Sequence, residues 1–299
     1  MPEDENIQCW VDFWKASVRN REAVTDEVQA ARWNGMADHF GKGMDGERRH
    51  QRMAGLFALL NEAGFSPEGA KVLDIGCGPG ALSLPMARAG AKVTSLDISG
   101  AMLARLQETA REEGLAIDTA ECSWWSADID ELGFRNTFDL VIASSTPAIK
   151  DVETFDRMMA CSRKYCYYSG FIGMGEEKEG ARHPISEILG EEVRKGHAFG
   201  PGGRAHGGPG MLYPFMYLYT LGVRPLLKFS GWGRNEEQGW AEAAEKAIER
   251  FGRNRQLSDG QKQKIRDYYR DAAIDGRYKP ERRNISCMMV WTVKNRDWN

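Results

Sequence analysis

A short apolar segment that runs into a glycine-rich turn constrains the fold of this chain more than any other feature. Residues 72–80 read Val-Leu-Asp-Ile-Gly-Cys-Gly-Pro-Gly, and an apolar helical pattern begins directly after them at Ala81. Glycines let the backbone bend sharply and leave main-chain N–H groups open to a ligand. Asp97 ends the next apolar segment, 21 residues after Gly76, where a second parallel strand would present a carboxylate to ribose hydroxyls. The pattern predicts a site for a nucleoside-containing cofactor.

Two classes of cofactor fit this turn. Gly76-x-Gly78-x-x-Ala81 satisfies the dinucleotide pattern G-x-G-x-x-G/A. Asp74 opposes that interpretation, because a carboxylate two residues before the first glycine would face a pyrophosphate. Like charges a few ångströms apart at low dielectric repel by several kcal/mol. The same carboxylate suits a cationic ligand.

The series Asp74-x-Gly76-x-Gly78-x-Gly80, followed by Asp97, resembles motif I and the next acidic position of the class I S-adenosylmethionine-dependent methyltransferases. The cofactor of that family has an ammonium group, a sulfonium and no phosphate, which agrees with Asp74. The resemblance covers residues 70–172 well and residues 226–294 only by the order of elements. It implies an α/β fold with a doubly wound, mostly parallel, seven-stranded Rossmann-like sheet, in which an antiparallel seventh strand lies between the fifth and sixth.

Hydrophobic periodicity predicts the elements of such a sheet. Strands are predicted at residues 71–75, 92–96, 117–121, 138–144, 164–171, 226–229 and 284–293. Helices are predicted within residues 7–62 and at 100–113, 151–162, 236–252 and 258–274, with a further candidate at 185–194. The chain then divides into an N-terminal helical lid (1–62), a cofactor-binding half (63–172), a glycine-rich cap insertion after strand five (173–225) and a C-terminal part of the sheet with two helices (226–299).

The resemblance also implies which residues hold S-adenosylmethionine. The glycine turn wraps the methionine moiety, Asp74 contacts its ammonium, and Asp97 accepts hydrogen bonds from both ribose hydroxyls with charge-assisted strength. Ile98 packs against the adenine, and Trp33 belongs to the lid that many relatives close over the cofactor. The full predicted set is Trp33, Asp74, Gly76, Cys77, Gly78, Gly80, Asp97, Ile98, Met102, Ser123, Trp124 and Ser144.

The chain departs from the family pattern after the third strand. The family usually places an acidic residue there, which takes the exocyclic amine of adenine, whereas this chain has Ser123 followed by Trp124. Either Ser123 or Glu121 takes the place of that acidic residue, or backbone groups form the hydrogen bonds to adenine. Trp124 and Trp125 point to opposite sides if the backbone is extended, so one can stack on adenine while the other enters the core.

Residues 144–149 follow the fourth strand and predict the kind of acceptor. Some branches of the family carry an N/D-P-P-Y-like clamp there, and Ser-Ser-Thr-Pro-Ala-Ile lacks it. We therefore expect no methylation of DNA amines, and a hydroxyl-rich loop beside the methyl group fits a small-molecule acceptor. Thr146 is predicted to contact that acceptor, together with Tyr213 and Tyr217 from the aromatic run at 211–219.

Composition restricts the alternatives. The net charge of −3 gives no long-range attraction to nucleic acid. Six cysteines without a C-x-x-C pair indicate reduced thiols and a cytoplasmic protein. No apolar run is long enough to cross a membrane. His183, His197 and His206 match no known metal-binding spacing, so no metal is predicted and their role stays open.

The predicted function is methyl transfer from S-adenosylmethionine to a small molecule. The alternatives are methylation of protein or RNA, and a non-catalytic protein that binds the cofactor. The cofactor arrives already activated, so the protein mainly orients the acceptor and excludes water. For that reason no catalytic base is assigned.

Overall fold

The computed structural model describes residues 2–18, 25–38, 40, 46–174, 185, 188, 211–233, 238–252, 256–279 and 283–293. The strands are β1 (Lys71–Ile75), β2 (Lys92–Asp97), β3 (Ile117–Glu121), β4 (Phe138–Ser144), β5 (Ser162–Met174), β6 (Leu226–Gly233), β7 (Gln238–Gly239), β8 (Arg277–Tyr278) and β9 (Arg283–Thr292). The helices are α1 (Pro2–Val18), α2 (Asp26–Met36), α3 (Gly46–Glu62), α4 (Ser83–Arg88), α5 (Gly100–Glu112), α6 (Val152–Cys161), α7 (Leu212–Thr220), α8 (Trp240–Gly252) and α9 (Asp259–Asp271).

Seven of these strands form one sheet in the order β3-β2-β1-β4-β5-β9-β6. Strands β1 to β5 are parallel to one another, and β9 is antiparallel to both β5 and β6. The predicted fold class is therefore confirmed, including the antiparallel last strand between the fifth and the sixth. The parallel order brings the carboxyl ends of β1, β2 and β4 to one edge, which is where ligands bind in open α/β sheets.

Alternate residues of the central strands supply two hydrophobic cores, because successive side chains of a strand point to opposite faces. Leu73 and Val141 pack on one face with Trp14, Phe155 and their neighbours. On the other face, Val72, Leu140, Leu56 and Tyr167 belong to the second core. β4 is buried on both faces, which explains its continuous apolar sequence.

The N-terminal helices do not act as a single lid. Trp14 of α1 is buried against Phe155 and Tyr217, so α1 is part of the first core. Leu56 of α3 is buried in the second core, on the opposite face of the sheet. α2, which has no fully buried residue, lies over the carboxyl edge of the sheet, and α3 also reaches that edge with Arg52. The predicted lid thus separates into one core helix, α1, and two helices, α2 and α3, that reach the site.

A satellite unit follows β6, and the sequence did not predict its short sheet. β7 pairs with β8, and α8 and α9 pack on each other around Ala247, Leu257 and Ile265. Ile185, from the glycine-rich segment, is buried in this small cluster. Most of the predicted cap lies outside the described residues, including the three histidines and all of the helix candidate at 185–194 except Ile185 and Ile188.

Within the described ranges, no helix combines the length and the hydrophobicity needed to span a bilayer.

Candidate functional site

A cavity of about 480 Å³ opens where β1, β2 and β4 end. Its wall contains all twelve residues predicted to hold the cofactor, together with Thr146. The wall also contains residues that sequence reasoning missed, among them Gln29, Arg52, Met53, Trp125 and Ser145. The structure therefore brings the predicted residues together, although they come from α2, the β1–α4 turn, β2, the β3 end and the β4 end.

The glycine turn after β1 exposes backbone to this cavity. Gly76 has φ +65°, and a Cβ there would lie 2.0 Å from the Thr146 Oγ1, so only glycine fits. Gly78 has φ +54°, and a Cβ there would meet no protein atom within 4 Å, because this residue faces the cavity. The N–H of Gly76 donates to the carbonyl of Leu96 at 2.7 Å, which fixes the turn against the end of β2.

Asp97, at the end of β2, is a buried carboxylate with backbone partners. Its Oδ2 accepts from the N–H of Gly78 at 2.8 Å, and its Oδ1 accepts from the N–H of Ser99 at 2.9 Å. Burial raises the pKa of this carboxyl, and the N–H groups of Ser99 and Gly78 oppose that shift. A carboxylate oxygen can accept two hydrogen bonds, so each oxygen keeps a position for a ligand hydroxyl.

Asp74 lies one strand away and is only 2% exposed. Its Oδ2 accepts from the Ser83 hydroxyl at 2.7 Å, and the Ser83 oxygen accepts from Ser95 at 2.8 Å. Burial raises the pKa of Asp74 to about 6, with a smaller contribution from the negative charge of Asp97. A buried carboxylate that faces a cavity without a cationic partner favours a positively charged ligand.

The two tryptophans after β3 point to opposite sides of the backbone, as predicted for adjacent residues. Trp124 is 2% exposed in the first core, and its indole N–H donates to the carbonyl of Thr154 at 3.0 Å. Trp125 is half-buried at the cavity wall, and its indole N–H donates to the carbonyl of Pro147 at 3.1 Å. Trp125 is therefore the more exposed of the two rings, although Trp124 was the one assigned to the cofactor.

A hydroxyl cluster with one cation closes the β4 end. Ser145 has φ +50°, an uncommon conformation for a residue with a side chain. Nη2 of Arg52 donates to Ser144 Oγ at 2.8 Å and to Ser145 Oγ at 3.1 Å. Within the described part of the chain, no carboxylate pairs with Arg52, so its remaining N–H groups could bind a ligand carboxylate. No local sequence signal singles out Arg52, because 92 residues separate it from Ser144.

Helix α2 covers the end of the cavity opposite to the β4 end. Trp33 and Phe40 line the cavity and contact each other edge to face, with ring centroids 5.8 Å apart. Asn34 Oδ1 accepts from the Ser99 hydroxyl at 2.6 Å and from the N–H of Ala101 at 3.1 Å, which joins α2 to the start of α5.

Tyr213 and Tyr217 lie away from the cavity, which corrects their assignment to the acceptor. Tyr213 stacks on Trp14, and Tyr217 is 6% exposed with its hydroxyl donating to the Asp156 carboxylate at 2.9 Å. Their helix α7 packs against α1 because its aromatic face completes the first core. Neither residue is among those that line the cavity. Thr146 does line it, but it is buried against the glycine turn.

No group of three or more metal-binding side chains occurs among the described residues. All six cysteines are free thiols.

Comparison with known sequences identifies the domain that carries this site. The family described as "Methyltransferase domain" matches residues 72–165. Residues 72–165 belong to the class I S-adenosylmethionine-dependent methyltransferases. The cofactor of this methyltransferase domain is S-adenosylmethionine.

Two curated relatives show how far the likeness extends. An uncharacterised protein of Haemophilus influenzae is 28% identical over 159 residues, which are 53% of this chain and 52% of the relative. The malonyl-[acyl-carrier protein] O-methyltransferase of Erwinia billingiae is 36% identical over 118 residues, which are 38% of this chain and 42% of the relative. The chain thus spans about half, or less, of the length of these relatives.

Solved structures share the fold of the methyltransferase domain. The magnesium protoporphyrin IX methyltransferase of Synechocystis, with bound S-adenosylhomocysteine, gives a TM-score of 0.51 at 16% identity, over 90% of this chain and 99% of that one. A methyltransferase-like protein of Bacillus halodurans gives 0.50 at 14% identity, over 79% and 97%. Identities this low establish the fold alone.

The residues of the cavity fit S-adenosylmethionine. The open space beside Gly78 admits a ligand against the backbone, Asp97 keeps acceptor positions for two ribose hydroxyls, and the Asp74 carboxylate can face the ammonium or sulfonium. A pyrophosphate would instead meet two buried carboxylates, Asp74 and Asp97.

Cofactor affinity should fall at acid pH because of Asp74. The free protein has an Asp74 pKa of about 6, and a bound cation lowers that pKa by favouring the carboxylate. Binding below pH 6 must therefore release a proton, so the Kd for S-adenosylhomocysteine should rise roughly tenfold for each pH unit below this value and stay constant above about pH 7. Calorimetry between pH 4.5 and 8 measures this profile.

Two controls separate the contribution of Asp74 to this pH dependence from that of Asp97, whose pKa is also raised. Asp74→Asn should flatten the profile. 5′-Methylthioadenosine has the ribose but lacks the ammonium, so its affinity should retain only the dependence due to Asp97. An unchanged profile in Asp74→Asn would contradict the assignment.

Proposed function

We propose that this protein is a cytoplasmic enzyme that transfers the methyl group of S-adenosylmethionine to a small-molecule acceptor. The observation that carries the proposal is the extent of the cavity. It runs from the residues suited to the nucleoside, at Asp97 and Ile98, past the Gly76 turn to the β4 end at Ser144 and Pro147. That end combines apolar side chains with hydroxyl groups inside a cavity, which suits a compact acceptor better than a polymer lying on an open groove.

The proposed roles follow the order of residues along the cavity. Asp97 holds the ribose hydroxyls, the glycine turn holds the methionine moiety, and Asp74 faces the ammonium. The space between Ser144, Thr146 and the α3 side of the cavity, where Met53 lies, is left for the acceptor.

S-adenosylmethionine, when bound, supplies a methyl group that its sulfonium has already activated. The chain therefore needs to align the acceptor atom with that methyl group and to keep water out. Trp125, Pro147 and Met53 provide apolar wall at this end, while the hydroxyls of Ser144 and Ser145 can orient a polar acceptor. Among the described lining residues near the β4 end, the polar groups are hydroxyls and the Arg52 guanidinium, so we assign no general base there.

Other observations support a small molecule rather than nucleic acid. The β4 loop lacks the amide clamp associated with methylation of DNA amines, and the net charge of −3 does not attract a polyanion. Relatives matched over the cofactor half are named as O-methyltransferases of malonyl-[acyl-carrier protein] and of ubiquinone biosynthesis. Those names describe the relatives, and the acceptor of this chain has to be found by experiment.

Turnover assays test the proposal. The full-length protein is incubated with S-adenosylmethionine and separate panels of small carboxylic acids, phenols and amines, peptides, RNA and DNA, and S-adenosylhomocysteine is measured by mass spectrometry. We expect product with a small molecule and none with DNA. Turnover confined to peptides or RNA would overturn the proposal. Tight binding of S-adenosylhomocysteine without turnover on any panel would favour a non-catalytic binding protein.

A further inference from the structure

Two side chains at the end of β3, Ser123 and Glu121, are the expected partners of the adenine base. Ser123 stands where the family usually has an acidic residue, but its hydroxyl is already engaged. The hydroxyl donates to Asp26 Oδ1 at 2.7 Å and accepts from the N–H of Trp125 at 3.2 Å. Glu121, the other candidate, packs its carboxylate beside Gly100 at the start of α5 and is not among the lining residues. Glu121 is therefore not placed to accept a hydrogen bond from an exocyclic amine, and the Ser123 hydroxyl keeps one acceptor position and no donor.

A carboxylate of α2 is hydrogen-bonded to Ser123, which lines the cavity. Asp26 accepts from Ser123 at 2.7 Å through Oδ1 and from Ser126 at 2.8 Å through Oδ2. Each carboxylate oxygen can accept two hydrogen bonds, so both keep one position for another donor. Asp26 is half-buried and is not itself a lining residue, but it lies directly behind Ser123, which lines the cavity together with Cys122.

Gln29 lies one helical turn after Asp26, on the same face of α2, and lines the cavity. Its Oε1 accepts from the indole N–H of Trp33 at 3.1 Å. An indole nitrogen only donates, so the amide oxygen is held on the Trp33 side. The Nε2 group then presents two donors.

We propose that α2 carries the adenine specificity of the cofactor site. Asp26 accepts from the exocyclic amine, and Gln29 donates to a ring nitrogen of the base. An acceptor beside a donor matches adenine and disfavours hypoxanthine, whose carbonyl oxygen would face the Asp26 carboxylate. The inference rests on S-adenosylmethionine as cofactor and holds whichever acceptor is methylated.

The ties that fix α2 support this role. Asp26 binds the β3 end, Asn34 binds the start of α5, and Asp38 pairs with Arg105. Because these contacts attach both ends of the helix, the position of Gln29 between them is set relative to the cavity.

Calorimetry with two ligands tests the proposal. S-adenosylhomocysteine carries the exocyclic amine, and S-inosylhomocysteine has a carbonyl oxygen in its place. The wild-type protein should bind the adenine ligand at least about tenfold more tightly, as a hydrogen bond to a charged group implies. Asp26→Asn offers an N–H donor, so the ratio of the two affinities should fall to near one or reverse. Asp26→Ala also removes the attachment of α2 to Ser123, so it should weaken both ligands, and the adenine ligand by about tenfold more. Gln29→Ala should weaken the adenine ligand by about three- to tenfold.

Asn34→Ala is the matched control, because it loosens the same helix without approaching the base. It should weaken both ligands equally and keep their ratio. The proposal is overturned if the wild-type protein does not discriminate between the two ligands, or if the Asp26 variants weaken both equally as Asn34→Ala does. Failure of the wild-type protein to bind either ligand would instead refute the cofactor assignment and, with it, the proposed function. Melting temperatures of all variants verify that they are folded.

Discussion

Asp97→Ala should weaken the binding of S-adenosylhomocysteine by at least about a hundredfold. The substitution removes the acceptor for two ribose hydroxyls, and each hydrogen bond to a charged group contributes roughly 1.5–3 kcal/mol. It also removes the partner of the Gly78 and Ser99 N–H groups, so the turn that approaches the ligand loses its support. Isothermal titration calorimetry measures the loss.

Glu121→Ala provides the matched control for this variant. Glu121 pairs with Asp97 in the register of β2 and β3 and likewise ends its strand, but it does not line the cavity. Its replacement should change the Kd by less than about threefold. If Asp97→Ala also stayed within threefold of the wild type, the ribose would have to be held elsewhere.

Two alanine substitutions in the glycine turn should act differently, with Gly76→Ala mainly lowering stability and Gly78→Ala mainly lowering cofactor affinity. Gly76→Ala places a Cβ 2.0 Å from the Thr146 Oγ1 in a residue with φ +65°. It should lower the free energy of unfolding by about 3 kcal/mol or more. Gly78→Ala meets no protein atom within 4 Å, so it should cost only the roughly 1–2 kcal/mol of a left-handed alanine. Its methyl group points into the ligand space, however, and cofactor affinity should drop by about a hundredfold.

Urea unfolding and calorimetry on both variants separate these effects. Adding Thr146→Ala to Gly76→Ala should recover part of the lost stability, because it removes the nearest clashing atom. A Gly78→Ala protein that bound S-adenosylhomocysteine with wild-type affinity would show that the ligand does not approach this backbone.

The features that sequence predicted well are those set by local patterns. A strand, a glycine turn and a helix follow one another within residues 71–88, so their register fixes where Asp74, Gly76 and Gly78 point. The position of Asp97 could also be predicted, because β2 is the parallel neighbour of β1 and ends at the same edge of the sheet. The parallel order of β1 to β5 then brings Ser144 to the same cavity.

The features that sequence missed depend on packing between distant segments. The aromatic run around Tyr213 and Tyr217 fits a cap over a pocket as well as a core helix, and the decisive partners, Trp14 and Phe155, lie far away in sequence. Arg52 and Gln29 reach the cavity from N-terminal helices, Asp26 binds the lining residue Ser123, and no spacing relates these residues to the strands they meet. For α2, the one local signal is its start, where the Thr25 hydroxyl accepts from the N–H of Val28 at 3.4 Å and acidic residues follow.

The way α2 is attached has a consequence for the rate at which ligand leaves. Its contacts with the rest of the chain include three polar ties, at Asp26, Asn34 and Asp38, and the helix contributes no residue to the hydrophobic cores. Lifting it exchanges those contacts for hydrogen bonds to water and uncovers only partly buried apolar side chains, such as Trp33 and Met36. Spent cofactor can therefore leave by a local opening while the sheet and both cores stay folded, and the exchange rate becomes a property of a few surface hydrogen bonds rather than of global stability.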